Sequence, residues 1–182
     1  MARQLIQVEG LILSGVPRGE ASRLFLIFTR EHGLLWAVAQ SVRAGTSKLR
    51  GHLQVGRLVK MDLVRGHDKW RVIGVSESEP IPLAKEMVKL MIRLLPPEEA
   101  NPNIYDDFIA GLRLLPITKD QLSLETLLVV RLLFNLGYLD PAPTFQTFVA
   151  EKELSSSLIE KFVPVKREAI KLINTFLEDS HL

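Results

Sequence analysis

The side chains that most often carry chemistry in proteins are sparse in this sequence of 182 residues. No cysteine is present, which excludes disulfides, thiolate zinc sites, iron–sulfur clusters and cysteine nucleophiles. No two histidines have the spacing of metal ligands on a helix, and no HExxH, G-x-S-x-G, Walker or G-x-G-x-x-G motif occurs. The four histidines are His32, His52, His67 and His181. We therefore expect a protein that is not an enzyme and that uses neither a metal nor a cofactor.

Positive charge is concentrated in the first half of the chain. Residues 1–76 contain twelve lysines and arginines against five aspartates and glutamates, whereas residues 77–182 contain eleven against sixteen. This asymmetry favours an N-terminal part that binds a polyanion, although charges also divide unevenly by chance.

The cations of the first half cluster in the glycine-containing segment 43–51 and on the two strands predicted after it. Cations in the loops and on one face of a small barrel form a groove that can follow a phosphate backbone. Loop cations that are merely solvated are an equally weighted alternative. The candidate nucleic-acid-binding residues are Arg18, Arg43, Lys48, Arg50, Arg57, Lys60, Arg65, Lys69 and Arg71. Trp36 and Trp70 are candidates for stacking on bases, but their positions on predicted strands favour core packing for both.

Five short strands are predicted in the first 79 residues. Arg23–Arg30 is a nearly continuous apolar run, which is typical of a strand buried on both faces. The other strands are Leu5–Leu13, Leu34–Val42, Arg57–Arg65 and Trp70–Val75. Because such short strands expose little edge when the sheet closes on itself, we expect a small closed barrel.

A helical half follows the barrel. From Leu83 onward apolar residues recur at intervals of three and four, and we place the domain boundary between residues 79 and 80. A helix is predicted from Leu83 to Leu95, followed by helices at Asn103–Leu115, Ser123–Leu136, Glu151–Phe162 and Val165–Leu177, with residues 139–150 irregular. The expected fold class is α+β, with a five-stranded barrel in residues 1–79 and a helical bundle in residues 80–182.

We expect neither a membrane-spanning segment nor an export signal in this sequence. No apolar run approaches the roughly 18–20 residues that a membrane-spanning helix needs. The first residues do not show the charged and then apolar pattern of a signal peptide. We expect a cytoplasmic protein that does not bind membranes.

Several segments resemble the bacterial recombination-mediator family RecO. In the first half these are Gly19-Glu20, the segment Phe28–Gly33, the basic loop Ser47–Gln54 and Arg65-Gly66. In the second half, LLPPEEANPNIYDDF, VVRLLFNLGYL and LINTFLEDSHL are similar to helices of the same family. Many members carry four zinc-binding cysteines after the LGYL segment, and this chain has none. The chain therefore resembles a short RecO without zinc.

The resemblance implies an N-terminal OB-fold that binds single- and double-stranded DNA. It also implies that the protein helps to anneal strands coated by single-stranded-DNA-binding protein, and that it works with RecR, and often RecF, in loading the recombinase at gaps. In that case the protein would act on the nucleoid, in DNA repair and recombination. Two alternatives stay open: an interaction scaffold with no direct DNA role, and an OB-fold protein that binds RNA.

Arg131 interrupts a strongly apolar predicted helix. Burial of this charge without a partner would be costly, so it must reach solvent, a partner or an internal carboxylate such as Glu125 or Asp107. The internal salt bridge is slightly favoured. The alternative, which follows from the resemblance, is a pocket that receives the acidic tail of single-stranded-DNA-binding protein. That partner-binding pocket would consist of Arg131, Leu127, Leu128 and Phe134.

Overall fold

A computed structural model describes residues 4–40, 42, 49–140 and 142–179. By its internal contacts the chain divides into two compact units, Met1–Tyr105 and Asp106–Leu182. The boundary predicted between residues 79 and 80 falls at the end of the last strand, whose final residue is Pro80. The segment that follows, up to Tyr105, groups with the strands rather than with the later helices.

The first unit is built on five strands within the described residues. They are β1 (Leu5–Arg18), β2 (Ser22–Thr29), β3 (Gly33–Ala39), β4 (Arg57–Arg65) and β5 (Trp70–Pro80). The strands form a closed barrel in the order β1-β2-β3-β5-β4, in which β1 pairs with both β2 and β4. Among the strand pairs that the structure describes, only β3 and β5 run parallel. This arrangement is an OB-fold, and it confirms the predicted five-stranded barrel.

Alternation along the strands fills the barrel with apolar side chains. Phe25 and Ile27 of β2 and Leu35 and Ala37 of β3 lie in the buried core, as the period of two predicts. Trp70 also packs there and is only 4% exposed, as expected for a core residue. The same expectation for Trp36 is wrong. Trp36 lies on the opposite face of β3 and is 37% exposed.

The hairpin formed by β1 and β2 extends further than the sequence predicts. Pairing continues to Arg18 opposite Ser22, after an irregularity between Ile12 and Ser14. Gly15 allows this close pairing, because a Cβ atom there would lie 2.8 Å from the ring of Phe25. The extra pairs lengthen the hairpin, and Arg18 is the last residue of β1 before the turn.

The segment after β5 packs against the outer side of the barrel. It contains α1 (Lys85–Leu94), and the rings of Phe28 and Tyr105 lie 5.3 Å apart. Gly33 makes the closest approach: its φ is +61°, and a Cβ atom there would lie 2.0 Å from the carbonyl oxygen of Glu99. This contact explains why Gly33 begins β3, because any side chain would both strain the backbone and displace the segment.

The second unit is helical within its described residues. Its elements are α2 (Pro102–Leu114, which begins in the first unit), α3 (Gln121–Asn135), α4 (Pro143–Ala150), α5 (Ser156–Phe162), a 3-10 turn (Val163–Val165) and α6 (Lys166–Asp179). Helix α3 is central and packs against α4, α5 and α6. The prediction of an irregular segment at residues 139–150 is wrong for its second part, since Pro143 starts α4 and Phe145 and Phe148 are buried on one face.

Helix α3 begins at Gln121, two residues before the predicted start at Ser123, and Asp120 caps it. The carboxylate of Asp120 accepts hydrogen bonds from the backbone N–H of Ser123 at 3.0 Å and from Lys166 at 2.7 Å. The hydrogen bond from Lys166 is the main reason that the pKa of Asp120 is lowered to about 2. Gly137, with φ of +73°, follows the C-terminal end of the helix and allows the chain to turn away there. No helix in the described part of the chain is long and apolar enough to cross a membrane.

Candidate nucleic-acid interface

The main candidate site is a cleft of about 660 Å³ on the barrel, which we call the outer cleft. One wall is the turn between β1 and β2, and the opposite wall is the turn between β4 and β5. The end of β3 forms its floor. The lining residues are Arg18, Gly19, Ser22, Val38, Gln40, Arg65, Gly66, His67, Asp68, Lys69, Trp70 and Arg71. The two turns are far apart in sequence, and barrel closure brings them together.

Four of the predicted cations meet in the outer cleft, namely Arg18, Arg65, Lys69 and Arg71. They line one concave surface, as a groove for a phosphate backbone requires. Arg71 pairs with Val38 across the parallel β3–β5 contact. Trp36, two residues before Val38, lies on the same outer face of β3 and is exposed, so its ring is accessible to a ligand.

Arg65 is the most constrained of these cations. Its guanidinium lies 5.0 Å from the centre of the Trp70 ring, and its Nη1 lies 2.6 Å from Oε1 of Glu98. Glu98 has a φ of 59°, a left-handed conformation that is unfavourable for a residue with a side chain. A carboxylate thus occupies the position that a phosphate oxygen would take on Arg65.

The tip of the β4–β5 turn adds a titratable pair to the cleft. The exposed His67 contacts the carboxylate of Asp68 through Nδ1, and this hydrogen bond raises the pKa of His67. The same hydrogen bond is the main cause that lowers the pKa of Asp68, with smaller effects from the charges of Lys69 and Arg18. The charge of the cleft therefore becomes more positive as His67 is protonated.

A second cleft of about 470 Å³ lies at the end of the barrel, and we call it the end cleft. It is lined by Pro17, Arg23, Val42, Arg50, Leu53 and Gln54. Val42 and Leu53 belong to the barrel core and form its floor. Of the predicted nucleic-acid-binding residues, Arg50 lies here. Arg23 was missed because its place beside Arg50 depends on strand register, whereas in sequence it is only the charge that precedes an apolar run.

Two further predicted residues lie away from both clefts. Arg57 donates through Nη2 to the carbonyl oxygen of Ser78 at 2.9 Å, and Lys60 forms an ion pair with Glu77 at 2.9 Å. That ion pair and its hydrogen bond raise the pKa of Lys60. The surroundings of Lys60 also include Glu9 and Glu79, so this face of β4 and β5 is acidic. The described cations of the candidate set therefore do not all line one groove. Arg43 and Lys48 lie outside the described residues.

The second unit gives Arg131 an internal role. Its Nε and Nη2 lie 2.8 Å and 2.7 Å from the two carboxylate oxygens of Asp107, and its Nη1 donates to the carbonyl oxygen of Phe148 at 3.0 Å. Arg131 is only 5% exposed. Burial raises the pKa of Asp107, and the hydrogen bond and charge of Arg131 oppose that shift.

This arrangement corrects the prediction of an open pocket around Arg131. Leu127 and Leu128 are also buried, Leu128 against Gly111 of α2, and only Phe134 is exposed. Every guanidinium nitrogen of Arg131 is hydrogen-bonded within the protein. Arg131, Leu127 and Leu128 therefore cannot contact a ligand unless the helices rearrange. The internal salt bridge to Asp107, the favoured alternative, is the arrangement found.

Candidate metal ligands stay apart in the described part of the chain. Among the residues that the structure describes, no three histidines, cysteines, aspartates or glutamates are grouped so as to hold a metal ion.

Comparisons with known proteins agree on one family. Residues 1–78 match the sequence profile of the family described as Recombination protein O N terminal. A DNA repair protein RecO from Heliobacterium modesticaldum is 30% identical over 148 residues, which cover 74% of this chain and 52% of the relative. One from Gloeothece citriformis is 36% identical over 85 residues, which cover 46% of this chain and 30% of the relative. The chain thus matches about half or less of the length of these two relatives.

Proposed function

Since this chain is a RecO-like protein, we propose that it binds single-stranded DNA in the outer cleft and acts in DNA repair and recombination. The proposal extends to double-stranded DNA and to the annealing of complementary strands. It also includes RecR, RecF and single-stranded-DNA-binding protein as partners in loading the recombinase at gaps. These partners follow from the family resemblance.

One observation carries the DNA-binding part of this proposal. Four cations converge between the β1–β2 turn and the β4–β5 turn, and these two turns and the adjacent strand face are where OB-folds bind oligonucleotides. A strand in the outer cleft would contact Arg18 on one wall and Lys69 and Arg71 on the other. Its bases would lie toward the outer face of β3, where Trp36 is exposed.

The proposed mechanism requires no bond making or breaking. The cations neutralise phosphates, which removes the repulsion between two strands, and stacking on an aromatic ring leaves the pairing edge of a base accessible. Base pairing then supplies the free energy of annealing. We therefore propose that the protein is not an enzyme.

Fluorescence binding assays test the outer cleft directly. With labelled (dT)15, Arg18→Gln/Lys69→Gln should weaken binding and should make the slope of log affinity against log salt less negative by about 1.4, or roughly 0.7 for each phosphate that is no longer neutralised. Arg93→Gln is the matched control, because Arg93 is exposed on α1 and lines neither cleft. A double variant that folds but keeps the wild-type slope would overturn the proposed site.

Trp36 provides an independent readout. The proposal predicts that binding of (dT)15 quenches the fluorescence of exposed Trp36, whereas buried Trp70 contributes little to the change. In Trp36→Phe the quenching should disappear while binding, measured by the anisotropy of the labelled strand, persists. Quenching that survives in Trp36→Phe would contradict the placement of the bases on β3.

The two alternative functions give different results in the same assays. An RNA-binding protein would lose labelled (dT)15 to (rU)15 at much lower competitor concentration than to unlabelled (dT)15. An interaction scaffold would show no salt-dependent binding of (dT)15 or of (rU)15. Annealing of complementary strands coated by single-stranded-DNA-binding protein, compared with and without this protein, tests the last part of the proposal.

A further inference from the structure

The end cleft is a cationic site that no carboxylate among the described residues neutralises. Its lining contains two arginines, Arg23 and Arg50, and an amide donor, Gln54, but no acidic residue. Neither arginine forms an ion pair or a hydrogen bond to a carboxylate within the described part of the chain. The sequence between Val42 and Leu49 has two cations and no aspartate or glutamate. Arg65 pairs with Glu98, and Lys60 pairs with Glu77. Arg23 and Arg50 pair with no described carboxylate that could take the place of an anionic ligand.

Arg23 is held in place and yet retains an unused donor. Its Nη2 donates to the carbonyl oxygen of Gly15 at 3.0 Å, and its guanidinium lies 5.4 Å from the centre of the Phe25 ring. Its Nε is buried and has no hydrogen-bond partner among the residues that the structure describes. A buried guanidinium N–H without an acceptor is costly, and a phosphate oxygen entering the cleft is the type of acceptor that would satisfy it.

The two clefts lie on opposite faces of the β1–β2 hairpin. Arg18 pairs with Ser22, and both line the outer cleft, whereas the next pair along the hairpin, Pro17 and Arg23, lines the end cleft. Successive residues of a strand point to opposite faces, so the hairpin separates the two basic surfaces. The exposed Glu20 adds a negative charge to the turn at the end of this hairpin.

From this arrangement we propose that the end cleft is a second phosphate-binding site and that it holds a second nucleic-acid strand. Arg23 and Arg50 contact its phosphates while a first strand occupies the outer cleft. The two-strand part of this inference rests on the proposed function of the outer cleft. One barrel then holds two nucleic-acid strands, one on each side of the β1–β2 hairpin. Strand annealing needs this configuration before the bases pair.

Strand stoichiometry tests the inference with the full chain. Fluorescein-labelled (dT)8 is titrated into the protein at protein concentrations far above the dissociation constant for this oligonucleotide. Its length is within the range of about 4–16 nucleotides that one OB-fold covers. We expect two strands per chain for the wild type and for the control Arg93→Gln. We expect one strand per chain for Arg23→Lys/Arg50→Gln and one for Arg18→Gln/Lys69→Gln. Melting temperatures are recorded for all variants.

The outcomes separate the two proposals. Two strands per chain in the folded Arg23→Lys/Arg50→Gln protein, or one strand per wild-type chain that this variant retains, would overturn the second site. Loss of one strand in that variant, with no effect of Arg18→Gln/Lys69→Gln, would keep the end cleft as a phosphate site and overturn the outer cleft. If Arg23→Lys fails to fold, Arg50→Gln/Gln54→Ala replaces it, since both of its side chains are exposed and the same loss of one strand is expected.

Discussion

Replacement of Arg131 by methionine should strongly destabilise the helical unit. Methionine keeps most of the buried apolar volume but removes three hydrogen bonds, two of them to the carboxylate of Asp107. Removing one partner of a buried ion pair costs about 3–5 kcal/mol, because the remaining charge stays buried without compensation. We therefore expect the free energy of unfolding to fall by that amount at pH 7.

The loss of stability in Arg131→Met should depend on pH. Burial raises the pKa of Asp107, and without Arg131 to oppose it the pKa rises further. A carboxyl group whose pKa is raised in the folded state contributes its full stabilisation below the ordinary carboxylate pKa of about 3.9. This stabilisation is lost as the pH rises through the raised pKa. The difference between variant and wild type should therefore be largest at neutral pH and should shrink as the pH is lowered through the pKa of Asp107.

Urea unfolding followed by two probes measures this effect. Far-UV circular dichroism reports mainly on the helices, whereas both tryptophans, Trp36 and Trp70, lie in the first unit and report on the barrel. The control Arg167→Met, at an exposed position of α6, should change the free energy of unfolding by less than about 0.5 kcal/mol. A loss below about 1 kcal/mol in Arg131→Met at pH 7, or a loss that does not diminish in acid, would refute this account of the ion pair.

A double variant that removes both charges tests the same reasoning. In Arg131→Met/Asp107→Leu both charges are removed, so no buried charge is left alone, and most of the stability lost in the single variant should return. Stability that stays at the level of the single variant would mean that the bond to the carbonyl oxygen of Phe148, rather than the ion pair, carries the effect.

Three other predictions concern the first unit. Glu98→Gln should free Arg65 for a phosphate, so that (dT)15 binds more tightly and the salt slope becomes more negative by roughly 0.7; an unchanged slope would show that Arg65 does not contact the strand. Because the pKa of His67 is raised, binding should strengthen as the pH falls through that pKa, and anisotropy titrations of His67→Gln should lose this dependence. Gly33→Ala should lower the melting temperature by at least several degrees, since the new Cβ atom would lie 2.0 Å from a carbonyl oxygen; a wild-type melting temperature would contradict the close contact.

The strands and most helices were predictable because they depend on local periodicity. Alternation in β3 assigned Leu35 and Ala37 to the core, and the spacing of three and four after Leu83 indicated α1. Helix α4 was missed because its first residue, Pro143, and its short length hide the period, and only the burial of Phe145 and Phe148 reveals it. Trp36 and Trp70 could not be told apart by residue type, since the register of the barrel decides which face is covered.

The sequence by itself determined the class of this protein: a basic barrel followed by helices, with no cysteine and no catalytic motif. These properties depend on composition and on short-range patterns, which survive without tertiary contacts. Only the tertiary structure decided which charges act together. Closure of the barrel joins Arg18 to Lys69 and Arg71, register places Arg23 beside Arg50, and helix packing gives Arg131 its partner 24 residues away. The physical reason is that a charge acts over a few ångströms, and chain neighbours are seldom the residues that folding brings within that distance.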